Sequence, residues 1–243
     1  MATRGTRGFG QYSGTARALE RVGDRWALLI VRDLLVGPRR YGDLKSGLPR
    51  IPTNILSDRL KELQESGVLR RVPTVRGGYE LTDLGRELEP VITALERWGW
   101  STLGEPAEGD VVTRDALTIA LRSAFRADAA ALLPPARYLL HVDDVSVAAL
   151  VAGAELDVVH VGADALAQPR RAPRPEVQIE VEVALAATAF RDLISGVLTP
   201  RRAVASRAVG LVVGDADGLE AFAQTFHIDP AAPSDHELTA SAA

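Results

Sequence analysis

Through the first hundred residues, apolar positions return every three or four places, the spacing of helix faces. Ala16, Leu19 and Val22 share one such face and predict a first helix. The run "RWALLIVRDLLVG" predicts a strongly apolar second helix stopped at Gly37-Pro38, and "YGDLKSGL" a short third. A fourth runs from Pro52, a residue tolerated in the first helical position, to Ser66, with Gly67 as its left-handed stop. Ile55, Leu56, Leu60 and Leu63 form its inward stripe, and Asn54, Ser57, Asp58 and Lys61 occupy the other side.

The period then changes. "VLRRVPTV", the glycine pair Gly77-Gly78 and "YEL" predict a two-stranded hairpin. Thr82 or Asp83 is expected to cap a long helix, "DLGRELEPVITALERWGW", with Leu84, Leu88, Val91, Ile92 and Leu95 on one side. "STLGEPAEGD", residues 101–110, reads as a linker. Beyond it the pattern is mixed. "TRDALTIALRSAFRADAAALL", "ATAFRDLISGVL" and "DADGLEAFAQTF" predict helices, the last with Asp215 or Asp217 near its start. "RYLLHVDD", "VSVAALVAG" and "LDVVHVGA" are strand-length. "VQIEVEV" alternates strictly, with Val177, Ile179, Val181 and Val183 facing one way. "AVGLVVGD" reads as a buried strand, and the tail from Pro230 as disordered. The expected class is α+β in two domains, 12–100 and 111–229.

Charge sharpens that division. Residues 1–100 carry 17 Lys+Arg against 12 Asp+Glu, a balance of +5, whereas the remainder carries 11 against 20, a balance of −9. A basic half joined to an acidic half is expected when only one half approaches a polyanion. The chain has no cysteine, so disulfides and thiolate chemistry are excluded. No apolar run reaches the ~18 residues of a membrane span, and the glycine-rich, basic start lacks the apolar core of a secretory signal, so it reads as a flexible arm. The expected setting is cytoplasmic, with no membrane partner.

Helix, helix, short turn, helix, hairpin is the order of a winged helix-turn-helix, whose second helix can enter a major groove. Thr53, Asn54 and Ser57 are short donors and acceptors suited to base edges. Arg76 at the hairpin tip is a candidate wing contact. Arg39, Arg40, Lys45 and Arg59 are candidates for phosphate neutralisation, Arg59 competing with a nearby carboxylate. Trp26 reads as a core anchor, and Trp98 and Trp100 as packing residues.

These residues also carry a resemblance. Gly23-Asp24-Arg25-Trp26, Gly37-Pro38-Arg39-Arg40-Tyr41, Leu56-Ser57-Asp58-Arg59-Leu60 and Leu81-Thr82-Asp83-Leu84-Gly85, in that order, resemble the HxlR family of bacterial transcriptional regulators, relatives of the MarR group. The resemblance covers about residues 12–100. It implies a dimeric winged-helix repressor or activator paired through terminal helices, with double-stranded DNA as partner. Ser13 stands where family members usually carry a cysteine, and Pro52 where a helix-capping serine is usual, so Thr53 or Asn54 is left to cap the fourth helix.

In the second half, "FRDLISGVLTPRRAVASRAVGLVVGDADGLEAFAQTF" is similar to the closing segment of sterol-carrier-protein-like domains. That likeness implies an apolar cavity and a hydrophobic small-molecule ligand. Leu117, Leu121, Phe125, Phe190, Ile194, Phe222 and Phe226, on apolar helix faces, are its candidate lining. His141, His160, His227 and His236 show no metal-ligand spacing, and Asp143-Asp144 reads as a turn. No nucleophile elbow, phosphate loop or dinucleotide fingerprint is present, so no cofactor and no enzymatic activity are expected. The leading expectation is a homodimeric, sequence-specific regulator modulated by a hydrophobic ligand. The alternative is a lipid or hydrophobic-metabolite carrier with a helical interaction module.

Overall fold

The structure is a computed structural model that describes residues 8–73, 77–162 and 176–229. The chain divides into two compact units between Ile92 and Thr93.

The first unit begins with α1 (Gly14–Val22) and α2 (Ala27–Val36). The Ser13 hydroxyl caps α1 by accepting the Ala16 amide at 3.0 Å. Trp26 does not lie inside α2. It is the half-buried residue preceding it, its amide donates to Asp24, and the Arg25 guanidinium lies 4.9 Å from its ring centroid. α3 (Tyr41–Gly47) and α4 (Thr53–Glu65) follow. Leu56, Leu60 and Leu63 of α4 are buried, as are Ile30, Leu34, Leu44 and Ile51 of the same unit, while Ile55 is only half-buried. α4 ends at Glu65 with Ser66 as its cap, and Gly67 takes φ +77°, a conformation that an L side chain resists.

The hairpin forms between β2 (Leu69–Val72) and β3 (Gly78–Leu81), in register Leu69↔Leu81 and Val72↔Gly78. A short strand β1 (Arg39–Arg40) joins the far edge of β3, giving the order β1-β3-β2. The Thr82 hydroxyl donates to the Gly67 carbonyl at 2.6 Å and accepts the Gly85 amide at 3.2 Å. Thr82 therefore both holds the base of the hairpin and caps the next helix. A Cβ on Gly85 would come within 2.1 Å of the Val68 carbonyl oxygen, so only glycine fits there.

The single long helix expected from residue 83 is two helices, α5 (Asp83–Arg86) and α6 (Glu89–Trp100). Pro90 explains the break: it cannot donate to the Arg86 carbonyl, and its ring crowds the turn before it. Of the expected inward face, Ile92 is buried, but Leu84, Val91 and Leu95 are exposed.

The second unit is a sheet with helices packed on one face. After α7 (Arg114–Ala124) and α8 (Ala127–Ala130), strands β4 (Ala136–Val142), β5 (Val145–Ala152) and β6 (Glu155–His160) form an antiparallel meander. β7 (Ile179–Leu185) returns parallel to β4, α9 (Ala187–Ile194) and α10 (Pro200–Ala205) follow, and β8 (Val209–Val213) pairs antiparallel with β7. α11 (Ala216–Thr225) comes next, capped by Asp215, which accepts the Gly218 amide at 2.8 Å. The strand order is β6-β5-β4-β7-β8.

Three expectations change here. The helix read over 113–133 stops at Ala124, because Phe125 turns extended to bridge Phe226, and the Arg126 and His227 amides donate to Thr225 and Ala124. β8 is an edge strand rather than a buried one, and Val212 is 61 % exposed. Val177 precedes β7 and is exposed, while Val181 and Val183 are buried as read. The tail from Pro230 lies outside the described residues.

The seven apolar residues expected to line a cavity are on the core side of this unit. Leu117, Leu121, Phe190, Ile194, Phe222 and Phe226 are buried, and Phe125 packs against them half-buried. The rings of Phe222 and Phe226 lie 4.9 Å apart, and Tyr138 meets both edge-on at 5.2 and 5.9 Å. Trp100 stands edge-on to Phe190 at 6.1 Å, while Trp98 is 71 % exposed.

Candidate nucleic-acid interface

α4 is amphipathic in the sense a groove-reading helix requires. Its apolar stripe is buried, while Thr53, Asn54, Ser57, Asp58 and Lys61 are exposed. Its first turn lacks a side-chain cap. Pro52 is the cap residue, not the first helical one, and neither Thr53 nor Asn54 inherits the capping hydrogen bond. The leading amides of α4 therefore contribute the positive end of the helix at the same turn that holds Thr53 and Asn54.

The turn before α4 is fixed by two side chains. Lys45 donates from Nζ to the Ile51 carbonyl at 2.8 Å and to Pro49 at 3.3 Å, so its ammonium braces the α3–α4 connection. The Tyr41 hydroxyl donates to the Thr53 carbonyl at 2.9 Å and lies 3.3 Å from Ser57 Oγ. Ser57 also donates to the Thr53 carbonyl at 3.1 Å, and so stays exposed with its rotamer set. Tyr41 thus ties the start of α3 to the first turn of α4, a contact that its place in the motif Gly37-Pro38-Arg39-Arg40-Tyr41 does not by itself announce.

The arginines divide. Arg40 is exposed next to the interface. Arg39 is not available to phosphate: it is fully buried, and its guanidinium donates to the Pro38 carbonyl at 3.0 Å. Strand pairing of Arg39 opposite Tyr79 turns its side chain inward, a placement that a run of two arginines does not announce. Arg59 lies between carboxylates, 2.6 Å from Glu62 and 3.5 Å from Asp24, so the competing reading of this residue prevails in the free protein. On the hairpin, Arg70 is paired with Glu80 at 2.7 Å, and Arg71 is exposed over the Tyr79 ring. Arg76, the candidate wing contact, lies outside the described residues.

Known proteins place this arrangement. The profile of the HxlR-like helix-turn-helix family matches residues 21–106. An HTH-type transcriptional regulator of Mycobacterium tuberculosis is 46 % identical over 94 residues, 37 % of this chain and 59 % of the relative. The chain thus spans just under three-fifths of the mycobacterial relatives it matches. The regulator YvaP of Bacillus subtilis is 38 % identical over 86 residues, which cover 34 % of this chain and 80 % of YvaP. Among solved structures, the reduced form of the transcriptional regulator YodB from B. subtilis is 28 % identical and covers 40 % of this chain and all of that one, with a TM-score of 0.33. With the four motifs gathered around α4 and the hairpin, and four-fifths of YvaP covered, the chain belongs to the HxlR-like helix-turn-helix family of transcriptional regulators.

Proposed function

We propose that the protein is a homodimeric, sequence-specific DNA-binding transcriptional regulator. The observation that carries this reading is the exposed row Thr53, Asn54 and Ser57 on a helix whose opposite face is buried, beside an exposed Arg40. In this reading α4 enters the major groove. Asn54 contacts a base edge, Arg40 and the hairpin (Arg76 with it) hold phosphates, and Tyr41 sets the pose of Ser57. Dimerisation is supported by the exposed apolar residues Val91, Leu95 and Trp98, which recur on α6 at four- and three-residue spacing and so share one side. A two-fold dimer would then read two half-sites about 34–36 Å apart. Bound DNA would be blocked to, or made attractive for, polymerase.

The second unit is proposed to tune this binding through a hydrophobic ligand, in a domain similar to sterol carriers. Support comes from the Tyr138 hydroxyl, which is buried among the candidate lining residues and makes no hydrogen bond of normal geometry to any described residue, although the Thr225 hydroxyl lies near it. Such a group is costly unless something satisfies it.

Fluorescence anisotropy on duplexes of matched and scrambled sequence tests the reading. Arg40→Ala is expected to weaken binding to every duplex and to lower the salt slope by about one unit, as loss of one phosphate contact does. Asn54→Ala is expected to cost about 1–3 kcal/mol on the preferred site and little on others. Equal affinities for all three proteins on all duplexes would reject the assignment.

A further inference from the structure

The second unit carries an arrangement of groups that the regulatory reading does not use. Residues alternate across a strand, so one side of β4 presents Ala136, Tyr138, Leu140 and Val142 to the helices and the other presents Arg137, Leu139 and His141. On that second side His141 stands opposite Ser146 of β5 and opposite Ala184 of β7, which brings Glu182, two residues along β7, to the diagonal position. The three side chains join. His141 Nδ1 lies 2.7 Å from Ser146 Oγ, and His141 Nε2 lies 3.1 Å from Glu182 Oε1. The His141 and Glu182 side chains are 32 % and 28 % exposed, so the group is open to a small molecule.

For a neutral His141 facing an ionised Glu182, the hydrogen-bond inventory gives this chain one direction. A carboxylate only accepts, so Nε2 carries the proton that Glu182 receives. In neutral imidazole Nδ1 is then bare and must accept, so the Ser146 hydroxyl donates to it. A serine hydroxyl aimed at a histidine base, itself oriented by a carboxylate on its other nitrogen, is the geometry of an activated nucleophile. Leu139, Ala148 and Val159 lie in one row across the same side, one step along the strands from His141 and Ser146. Leu139 and Val159, half-buried on either side of the buried Ala148, are the apolar groups a short acyl chain would meet there.

We propose that Ser146, His141 and Glu182 form a nucleophilic relay that takes an acyl group from small aryl esters and passes it to water. Ser146 Oγ attacks the ester carbonyl while its proton moves to His141 Nδ1. The bond from the acyl carbon to the aryloxy oxygen breaks, and the departing oxygen takes that proton. A water molecule, deprotonated by the same nitrogen, then attacks the acyl-serine, and the carboxylic acid leaves as Oγ regains its proton. Glu182 orients the imidazole and stabilises the transient imidazolium. The relay supplies a nucleophile and a base, so the substrates are esters whose leaving group departs readily. This activity is independent of DNA binding.

The test uses the full chain with two probes, p-nitrophenyl acetate and a fluorophosphonate whose fluoride is displaced by a reactive serine. Peptide mass spectrometry is expected to find the phosphonyl group on Ser146, and Ser146→Ala is expected to abolish both labelling and p-nitrophenol release. His141→Gln should slow both by about 100-fold or more, the range lost with a general base. Glu182→Gln keeps the size and a hydrogen bond but not the charge, and should slow them at least about tenfold while the melting temperature stays within a few degrees. Labelling on another residue, labelling no faster than in the urea-unfolded chain, or unchanged rates in Glu182→Gln and His141→Gln would overturn the proposal.

Discussion

At the scale of single residues, burial decides which polar groups can act. Arg39 and Arg40 are neighbours, yet one is enclosed and the other exposed, because a two-residue strand sends adjacent side chains to opposite sides. The pairing of β1 with β3 cannot be read from two arginines, and so the role of Arg39 was not legible. The aromatic core shows the same dependence. Burial pushes the Tyr138 phenol above its ordinary range, and the nearby Thr225 hydroxyl only partly offsets this. A phenol raised in the folded state contributes its full stability below the unfolded value, about 10, and loses it as pH climbs through the folded value. Tyr138→Phe is therefore expected to leave the stability near neutral pH unchanged or slightly raised, because the hydroxyl removed makes no hydrogen bond of normal geometry to a described residue, and to blunt the loss of stability above pH 10. Urea titrations of the two proteins at pH 7 and pH 10.5 check both parts. A loss of 2 kcal/mol or more at pH 7 would show that the hydroxyl has a stabilising partner.

At the scale of elements, local pattern located most helices and strands, and tertiary contacts set where they stop. The stripe Leu56, Leu60, Leu63 and the left-handed Gly67 made α4 readable to within a residue. α10 opens on Thr199-Pro200, a pair suited to a helix start, but its six residues are too few for a periodic apolar pattern to announce it. The break after Ala124 was beyond reach, since it depends on Phe125 bridging Phe226 a hundred residues away. Gly85 sits where α5 crosses the start of the hairpin. Gly85→Ala must push Val68 aside, and is expected to destabilise the first unit by about 1–3 kcal/mol, the usual cost of overpacking. Thermal unfolding followed by circular dichroism measures it, and an unchanged midpoint would mean that the hairpin yields freely. On α6, Leu95→Glu places a charge in the exposed apolar stripe. Sedimentation velocity is expected to show a shift from dimer toward monomer, and an unaltered dimer would remove α6 from the proposed interface.

At the scale of the whole molecule, charge and chemistry are segregated. The basic excess lies in the first hundred residues, with α4 and its neighbours, and the acidic excess lies in the remainder, where the Ser146–His141–Glu182 chain is found. The first, a helix-turn-helix of the HxlR-like family, was legible because three of the four short motifs have a fixed spatial job: Thr82 and Gly85 join helix to hairpin, and Tyr41 and Ser57 meet at the start of α4. The second was not, because His141 and Ser146 become neighbours only through a hairpin turning at Asp143-Asp144, and Glu182 arrives from a strand forty residues on. The most direct measurement of the central claim is selection of random duplexes by the full-length protein, followed by sequencing, for wild type and Asn54→Ala in parallel. A two-fold-related motif with half-sites about 10–10.5 base pairs apart, in which Asn54→Ala changes the preferred base at matching positions of each half, is the predicted result. Absence of any enriched motif for the wild type, or the same motif for both proteins, would contradict a reading face on α4.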